Sequence, residues 1–403
     1  MWWRLFALVV TAALAISGCG GDDDDDSGGA SDDDADDDAD DDMADDDMDD
    51  DAAGPTISAA TFNAGLAHGY VPYADERVSL IGDALAAYDD ADVLCLQEVW
   101  TDEDVAAIGA AAEANFPYQY RHDSGDDWLA MPDEPAPCDD LTDVQDCAST
   151  NCDGLSGAEF TDCMVFSCIA ELAALPNEWC FACLAANIDK PLDDIVDVCT
   201  NPGPPPRQYS GENGVMLLSK YELEDAQKID LSFFLITRVV LYAKVTVDAA
   251  PVHLFCTHLS VEVEPLPYLG EYDSFADENL QQALAIVDEV DARAGAETAV
   301  VMGDFNAGPS GDGYTATYLD TYNALVGAGL RAPFVELVPE CTFCNENPLT
   351  GDATSVLIDH VLFGGAASAA FTAERIFDEV VDIAGETADG RLSDHYGVMA
   401  TMN

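Results

Sequence analysis

The chain has 403 residues, of which 49% are hydrophobic, so it is long and apolar enough to form a sizeable core and is not disordered throughout. Its formal net charge is −67, from 80 Asp and Glu against 13 Lys and Arg. This balance disfavours a long nucleic acid as the natural partner, because duplex binding normally relies on Lys and Arg to neutralise phosphates.

The first 19 residues predict an export signal. An apolar run follows Arg4 over residues 5–16, and it is too short for a stable membrane span. The sequence ISGC that ends at Cys19 resembles the lipobox of bacterial lipoproteins, in which the signal is removed and the cysteine is lipidated. We therefore expect an exported lipoprotein, anchored through Cys19 and facing the periplasm or the cell surface. The alternative is a plain secretory signal.

Residues 20–55 are predicted to form a disordered tether. Residues 22–52 hold 20 aspartates and no residues that could form a core, so charge repulsion favours an extended chain. No spacing there matches a calcium-binding loop. Without this segment and Arg4, the chain still has 60 acidic against 12 basic residues, which is consistent with adaptation to a salty medium.

The folded domain, residues 56–403, begins with alternating strand and helix patterns. The predicted elements are a strand at Ile57–Asn63, a helix at Ala74–Tyr88, a strand at Val93–Val99, a helix capped by Thr101 and an extended segment at Tyr118–Arg121.

Residues 123–207 interrupt this pattern and are predicted to be an insertion. They hold eight of the thirteen cysteines and no histidine. In an exported protein this density predicts four disulfides, with 105 possible connectivities, and disfavours zinc or redox chemistry.

Strand patterns return after the insertion, and many strands with few helices predict an α+β fold in which two sheets pack together with helices outside. Cys95 and Cys256 lie inside apolar strands and are expected to be buried thiols. Cys341 and Cys344 are expected to pair with each other or with the insertion. The predicted elements are strands at 213–219, 233–247, 252–260, 356–363 and 395–401, a strand that starts the stretch 298–309, and a helix at about 277–293.

Polar residues end or interrupt the apolar strands at positions that a core would not favour. They are Asn63, Glu98, His258, Asp304, Asn306, Asp359, His360, Asp394 and His395. Buried ionisable groups cost several kcal/mol unless they are paired or bind metal, so we expect most of these residues to converge on one site.

The motifs QE at Gln97-Glu98, GDFN at residues 303–306 and SDH at residues 393–395, in this order, resemble the endonuclease/exonuclease/phosphatase superfamily. This family includes DNase I-like nucleases, neutral sphingomyelinases and inositol-polyphosphate phosphatases. The resemblance covers residues 56–122 and 208–403. It implies a four-layer αββα fold, a DNase I-like two-sheet β-sandwich flanked by helices, with the cysteine-rich segment as an insertion.

The resemblance also implies a divalent metal, with Mg²⁺ first and Mn²⁺ or Ca²⁺ as alternatives. Glu98 would be the main ligand, Asn63 a neutral oxygen donor beside it, and Asp394 a further residue on the metal or phosphate side. The metal would neutralise a phosphoryl oxygen and stabilise the leaving group.

The remaining roles concern the attacking water and the phosphate. Asp304 would position or polarise the water and Asn306 would donate its amide to the phosphate. His395 would be the general base, oriented by Asp359. His258 would stabilise charge in the transition state, and Asn213 would contact the substrate. His253 and His360 are expected to be structural, because they point away from His258 and Asp359 respectively.

Three functions remain open at this stage. The first is a phosphodiesterase that acts on a phospholipid headgroup, since residues 213–223 and 238–245 most resemble the sphingomyelinase branch and the loop after His258 is aromatic. The second is an extracellular nuclease, which the negative charge disfavours. The third is a surface binding module without catalysis, which the intact set of charged residues disfavours. No stable protein partner is implied.

Overall fold

The computed structural model describes residues 55–155, 157–188, 190–262, 267–351, 353–366 and 369–403. The predicted signal, Cys19 and almost all of the acidic tether lie outside these ranges. Within them, no helix is both long enough and apolar enough to cross a membrane.

The described residues form two main β-sheets and a separate hairpin. The strands are β1 (Ile57–Asn63), β2 (Val93–Gln97), β3 (Tyr118–Tyr120), β4 (Met216–Ser219), β5 (Glu224–Asp230), β6 (Val239–Val247), β7 (Ala250–His258), β8 (Thr298–Asp304), β9 (Asp359–Gly364), β10 (Phe371–Ile376), β11 (Val381–Ile383), β12 (Thr387–Gly390) and β13 (Gly397–Met402). The first sheet has the order β10-β13-β1-β2-β4-β3, and the second has the order β5-β6-β7-β8-β9. Strands β11 and β12 form the hairpin.

The helices complete two outer layers and build the insertion. They are α1 (Ala74–Ala87), α2 (Asp102–Ala112), α3 (Ser124–Leu129), α4 (Thr142–Asn151), α5 (Gly157–Ser167), α6 (Ile169–Ala173), α7 (Glu178–Ala186), α8 (Leu192–Thr200), α9 (Phe275–Arg293), α10 (Leu319–Gly327) and α11 (Pro333–Leu337).

Each central strand is buried on both faces, because alternate side chains point to different layers. In β2, Val93 and Cys95 join the core between the sheets, whereas Leu94 and Leu96 pack with α1 and α2. The outer face of the second sheet packs against α9 and α10 in the same way. The layers therefore run helix, sheet, sheet, helix, and the predicted αββα fold is confirmed.

The insertion has a helical core of its own, built around its cysteines. All eight cysteines pair, as Cys138–Cys180, Cys147–Cys168, Cys152–Cys163 and Cys183–Cys199, so the prediction of four disulfides is confirmed. Helix α7 also packs on Phe234 and Phe275 of the domain, and the Tyr70 hydroxyl donates to the carbonyl of Ala185 at 2.7 Å.

The expectation that Cys95 and Cys256 are free thiols is wrong. The two residues form a disulfide between β2 of the first sheet and β7 of the second, with Cα atoms 5.4 Å apart. Both strands point these side chains into the space between the sheets, where an apolar environment and a cross-link are compatible. Cys341 and Cys344 pair with each other, one of the two outcomes expected for them.

Candidate active site

Three polar side chains line up at one end of the second sheet. In the register of the sheet, His258 on β7 lies opposite Asp304 on β8, and Asp304 lies opposite Asp359 on β9. All three side chains are at most 2% exposed. The strands therefore place one imidazole and two carboxylates side by side.

The first sheet places its own polar residues against this row. The Asn63 Nδ2 atom donates to Asp304 Oδ2 at 3.0 Å and to Glu98 Oε1 at 3.2 Å. The Asn63 Oδ1 atom accepts from the backbone N–H of Gly65 at 2.9 Å. The Asn63 amide group therefore links two carboxylates, and its predicted role as an oxygen ligand for metal remains a prediction.

Glu98 has an unusual backbone at the end of β2. Its φ is 58°, in the left-handed region that non-glycine residues rarely adopt outside functional sites or tight turns. This conformation turns the carboxylate toward Asn63. Burial and the nearby charge of Asp394 raise the pKa of Glu98 above its usual value. Two carboxylates that disfavour each other's charge form a natural site for a cation.

His395 is oriented by Asp359, as the sequence predicts. The His395 Nδ1 atom lies 2.9 Å from Asp359 Oδ2 and 3.8 Å from Asp304 Oδ2. Burial alone would lower the pKa of His395, but the charges of Asp359, Asp304 and Asp394 raise that pKa well above its usual value. These carboxylates favour the charged form of His395, and Asp359 lies at its Nδ1 atom.

Asp304 lies at the centre of the site. Its Oδ1 accepts from the backbone N–H of Asn306 at 2.8 Å, and its Oδ2 lies 3.5 Å from His258 Nε2. Burial and the neighbouring charge of Asp359 raise the pKa of Asp304 to about 7. A carboxyl with this pKa can accept a proton near neutral pH.

Asn306 and His258 contact each other. The Asn306 Nδ2 atom donates to the carbonyl of Leu259 at 3.0 Å and lies 3.2 Å from His258 Nε2. Burial and the positive charges of Arg238 and His395 hold the pKa of His258 well below its usual value, so its ring is neutral. When Nε2 accepts from Asn306, the proton is on Nδ1, which is buried and has no partner among the described residues.

Arg238 is a site residue that the sequence analysis missed. It immediately precedes β6 and is 2% exposed, and neither its Nε nor its Nη1 has a hydrogen-bond partner in the described structure. Burial lowers the pKa of Arg238 to about 10, and the charges of Glu98 and Asp304 partly offset this effect. The available signal is a single arginine within the otherwise apolar segment ITRVVLY.

Arg77 holds the backbone beneath the site. Its buried guanidinium donates to the carbonyl of Ala64 at 3.0 Å, to that of Leu392 at 2.8 Å and to that of Gly65. These contacts join the turn after Asn63 to the segment that precedes Asp394.

Three residues discussed from the sequence lie apart from this network. Asn213 is fully buried and donates to the His122 carbonyl at 2.7 Å and to Ser124 Oγ at 2.8 Å, so its predicted substrate contact remains a prediction. His360 Nε2 lies 2.8 Å from the Ala307 carbonyl. His253 lies between Tyr242 and Glu297. Both histidines are structural residues.

The donor set fits a hard divalent cation. Glu98 and Asp394 supply carboxylate oxygens, which such ions prefer, and Asp359 Oδ1 is buried without a partner in the described structure. Asp304, Asp359 and His395 also offer ligand atoms within 4.8 Å of one another. The hydrogen bond between Asp359 and His395 uses one ligand atom of each of these two residues, and metal binding by Glu98 and Asp394 remains a prediction.

Residues 60–395 match the model of the Endonuclease/Exonuclease/phosphatase family, so the chain belongs to this family, whose members are typically hydrolases of phosphoesters and generally depend on divalent metal. No curated protein matches the chain in a sequence comparison.

Solved structures share the fold at low sequence identity. SmcL is 12% identical with a TM-score of 0.52, and the match covers 86% of this chain and 99% of that one. A beta toxin from Staphylococcus aureus is 13% identical with a TM-score of 0.50, covering 85% and 99%. Sphingomyelinase C from Streptomyces griseocarneus is 18% identical with a TM-score of 0.48, covering 87% and 100%. These similarities concern the fold alone.

Proposed function

We propose that the protein is an exported, Mg²⁺-dependent phosphodiesterase. One observation carries this proposal. Side-chain nitrogens of Asn63, His258 and His395 all lie within 3.0 to 3.8 Å of Asp304 Oδ2. A non-catalytic binding module would have no reason to bury so many ionisable groups together.

Asp304 and His395 divide the proton chemistry between them. Asp304, with a pKa of about 7, accepts the proton of the attacking water, while Asn63 and the Asn306 N–H hold its two oxygens. Protonated His395 places positive charge beside the phosphoryl group and is steadied by Asp359. This assignment exchanges the proton roles that the family resemblance implies, because the three carboxylates around His395 favour its charged form.

Arg238 and His258 stabilise the negative charge that develops on the phosphate in the transition state. Three hydrogen-bond donors have no partner in the described structure, namely Nε and Nη1 of Arg238 and Nδ1–H of His258. A bound anionic phosphate would accept hydrogen bonds from them. Glu98 and Asp394 would hold the Mg²⁺, with Mn²⁺ or Ca²⁺ as alternatives. When bound, the ion supplies Lewis acidity at a phosphoryl oxygen and at the leaving oxygen.

The surroundings of Arg238 favour a phosphodiester that carries an apolar part. Leu235, Ile236, Val261 and Phe275 line the same small hollow as Arg238, together with Ser260 and Glu278. Phe234 packs against Tyr268 and Phe275, with ring centres 5.6 and 6.1 Å apart. An apolar wall beside a guanidinium suits a phospholipid headgroup with its lipid. The excess of about 48 negative charges on the domain opposes a long nucleic acid, so a nuclease is the second candidate.

Hydrolysis assays on the full-length chain in detergent test this proposal. The substrates are bis-p-nitrophenyl phosphate, sphingomyelin and DNA, each with Mg²⁺, Mn²⁺, Ca²⁺ or EDTA and at several salt concentrations. We expect metal-dependent turnover of the first two substrates and its loss in Asp304→Asn. No turnover of any substrate with metal present would refute the hydrolase, and turnover of DNA alone would refute the phospholipid substrate.

We also propose that Cys19 is lipidated and anchors the protein to a bacterial membrane, facing the periplasm or outside. The support is the ISGC sequence directly after the apolar signal. In the native host, Cys19→Ser should move the protein from the membrane fraction to the soluble fraction. Unchanged fractionation would remove the anchor from the proposal without affecting the enzymatic activity.

A further inference from the structure

The Cys95–Cys256 disulfide joins the two sheets directly beneath the candidate active site. Cys95 lies three residues before Glu98, and Cys256 lies two residues before His258. Both cysteines are fully buried in the core between the sheets.

The strand registers place the bridge one step below the polar row. On β2, Cys95 lies opposite Thr61 of β1. Two residues later, on the same face, Gln97 lies opposite Asn63. Cys256 pairs with Met302, and two residues later His258 pairs with Asp304. Because residues two apart on a strand point to the same face, the bridge and the site occupy adjacent layers of one space.

The site itself is divided between the sheets. Its central contacts cross from one sheet to the other, namely Asn63 to Asp304 at 3.0 Å and His395 to Asp359 at 2.9 Å. Glu98 and Asp394, in contrast, both extend from the first sheet, after β2 and before β13. A change in sheet spacing would therefore separate the proton-transfer groups and leave the two carboxylates of the cation site together.

We propose that the Cys95–Cys256 pair is a positioning element that fixes the spacing of the two sheets at the active site. Its catalytic consequence rests on the proposed hydrolase function, whereas its structural consequence does not. Apolar packing alone permits small sliding of two sheets, and a covalent bond one layer below the site removes that freedom.

The test compares Cys95→Ala/Cys256→Val with the matched control Cys152→Ala/Cys163→Ala, which removes a bridge inside the insertion. Both full-length variants are assayed well below their unfolding temperatures. In the first, we expect kcat to fall by about tenfold or more, because small displacements of catalytic groups are costly. Its Kd for Mn²⁺, measured by electron paramagnetic resonance, should stay within a factor of about two, since Glu98 and Asp394 move together.

The control should keep both kcat and Mn²⁺ affinity. An unchanged kcat in the first variant would overturn the proposal. Equal weakening of kcat and Mn²⁺ binding would overturn it as well, because that result indicates general loosening rather than separation of the sheets.

A structural readout separates this proposal from the proposed function. In a crystal structure of the first variant, the Asn63 Nδ2 to Asp304 Oδ2 distance should exceed about 3.5 Å, the limit of a hydrogen bond. An unchanged distance overturns the proposal even if the wild-type protein hydrolyses no phosphoester. If the variant does not fold, hydrogen exchange in the wild type decides. The amides of Leu96 and Thr257 should exchange only with global unfolding, and faster local exchange would refute the positioning role.

Discussion

At the scale of single residues, Arg238 gives the sharpest test of how the site handles phosphate. Its guanidinium is buried with two nitrogens that have no partner in the described structure. Arg238→Met should lower kcat by about 10² to 10³ if these donors stabilise developing negative charge. Arg238→Lys should restore part of the activity, because it keeps the charge but loses the forked geometry.

The control for this experiment is Arg331→Met. Arg331 is half-buried, and its charge is already paired with Glu336. Steady-state kinetics with bis-p-nitrophenyl phosphate should show wild-type kcat for this variant. A similar kcat for Arg238→Met and Arg331→Met would exclude Arg238 from the reaction.

Asp304 should make the native protein less stable as pH rises. Its pKa is near 3.8 when unfolded and about 7 when folded, so the folded state favours the protonated form. The stability that the protonated Asp304 contributes to the folded state is fully present below pH 3.8 and is lost as pH rises through 7. At pH 8, Asp304→Asn should therefore raise the unfolding free energy by about 1 to 3 kcal/mol while it abolishes turnover.

Urea unfolding at pH 5 and pH 8 measures this effect, and the advantage of the variant should shrink at the lower pH. Asp291→Asn, an exposed carboxylate on α9, is the control and should change stability little at either pH. A variant less stable than the wild type at pH 8 would show that the hydrogen bonds from Asn63 and Asn306 outweigh the buried charge.

The sequence predicted which residues meet, but not how they interact. Asp304, His258 and Asp359 end neighbouring strands, so strand order alone brings them together. The charged form of His395 is favoured by Asp359 and Asp304, which approach it only in the folded chain. The contacts of the Asn63 side chain also depend on folding, which brings Glu98 and Asp304 to its amide.

At the scale of secondary structure, Gly303 is required by the close approach of two parallel strands. A Cβ atom there would collide with the backbone carbonyl of Thr257 on β7. Backbone cannot move aside as a flexible side chain can, so Gly303→Ala should cost about 1 to 3 kcal/mol of stability. Because Asp304 is the next residue, kcat should fall as well.

Gly327→Ala is the matched control. Gly327 ends α10, and a Cβ atom added there meets no other atom within 4 Å. Its effect on stability should be within about 1 kcal/mol and favourable, because alanine has the higher helix propensity. Equal stability losses in the two variants, measured by urea unfolding, would refute the steric explanation.

The central strands were predictable, and so were the edge strands β3 and β9, whereas the edge strands β5 and β10 were not. The apolar runs of β1, β2 and β8 gave their positions directly. Strand β5, with the sequence EDAQKID, has almost no apolar pattern and exists because β6 supplies its hydrogen bonds. The Cys95–Cys256 bridge spans 161 residues, and only the packing of the sheets brings those positions together.

At the scale of the whole molecule, the excess negative charge should make stability depend on salt. About 48 unbalanced charges on the domain repel one another, and screening reduces this repulsion as the Debye length falls to about 3 Å at 1 M salt. The unfolding temperature should therefore rise steadily from 0.05 to 2 M NaCl. KCl at the same ionic strength should give the same rise, and a flat or falling curve would show that self-repulsion is not a significant cost.

The disulfides of the insertion are nested, which has a consequence for a protein exposed to proteases. Cys138–Cys180 encloses Cys147–Cys168, which in turn encloses Cys152–Cys163. A single cut of the backbone anywhere in residues 139–179 therefore leaves two fragments joined by at least two covalent bridges, Cys138–Cys180 and Cys95–Cys256. Exposed side chains such as Phe166 and Ile169, which offer cleavage sites, lie inside these closed loops. The insertion can thus be cut once in this segment without losing a fragment.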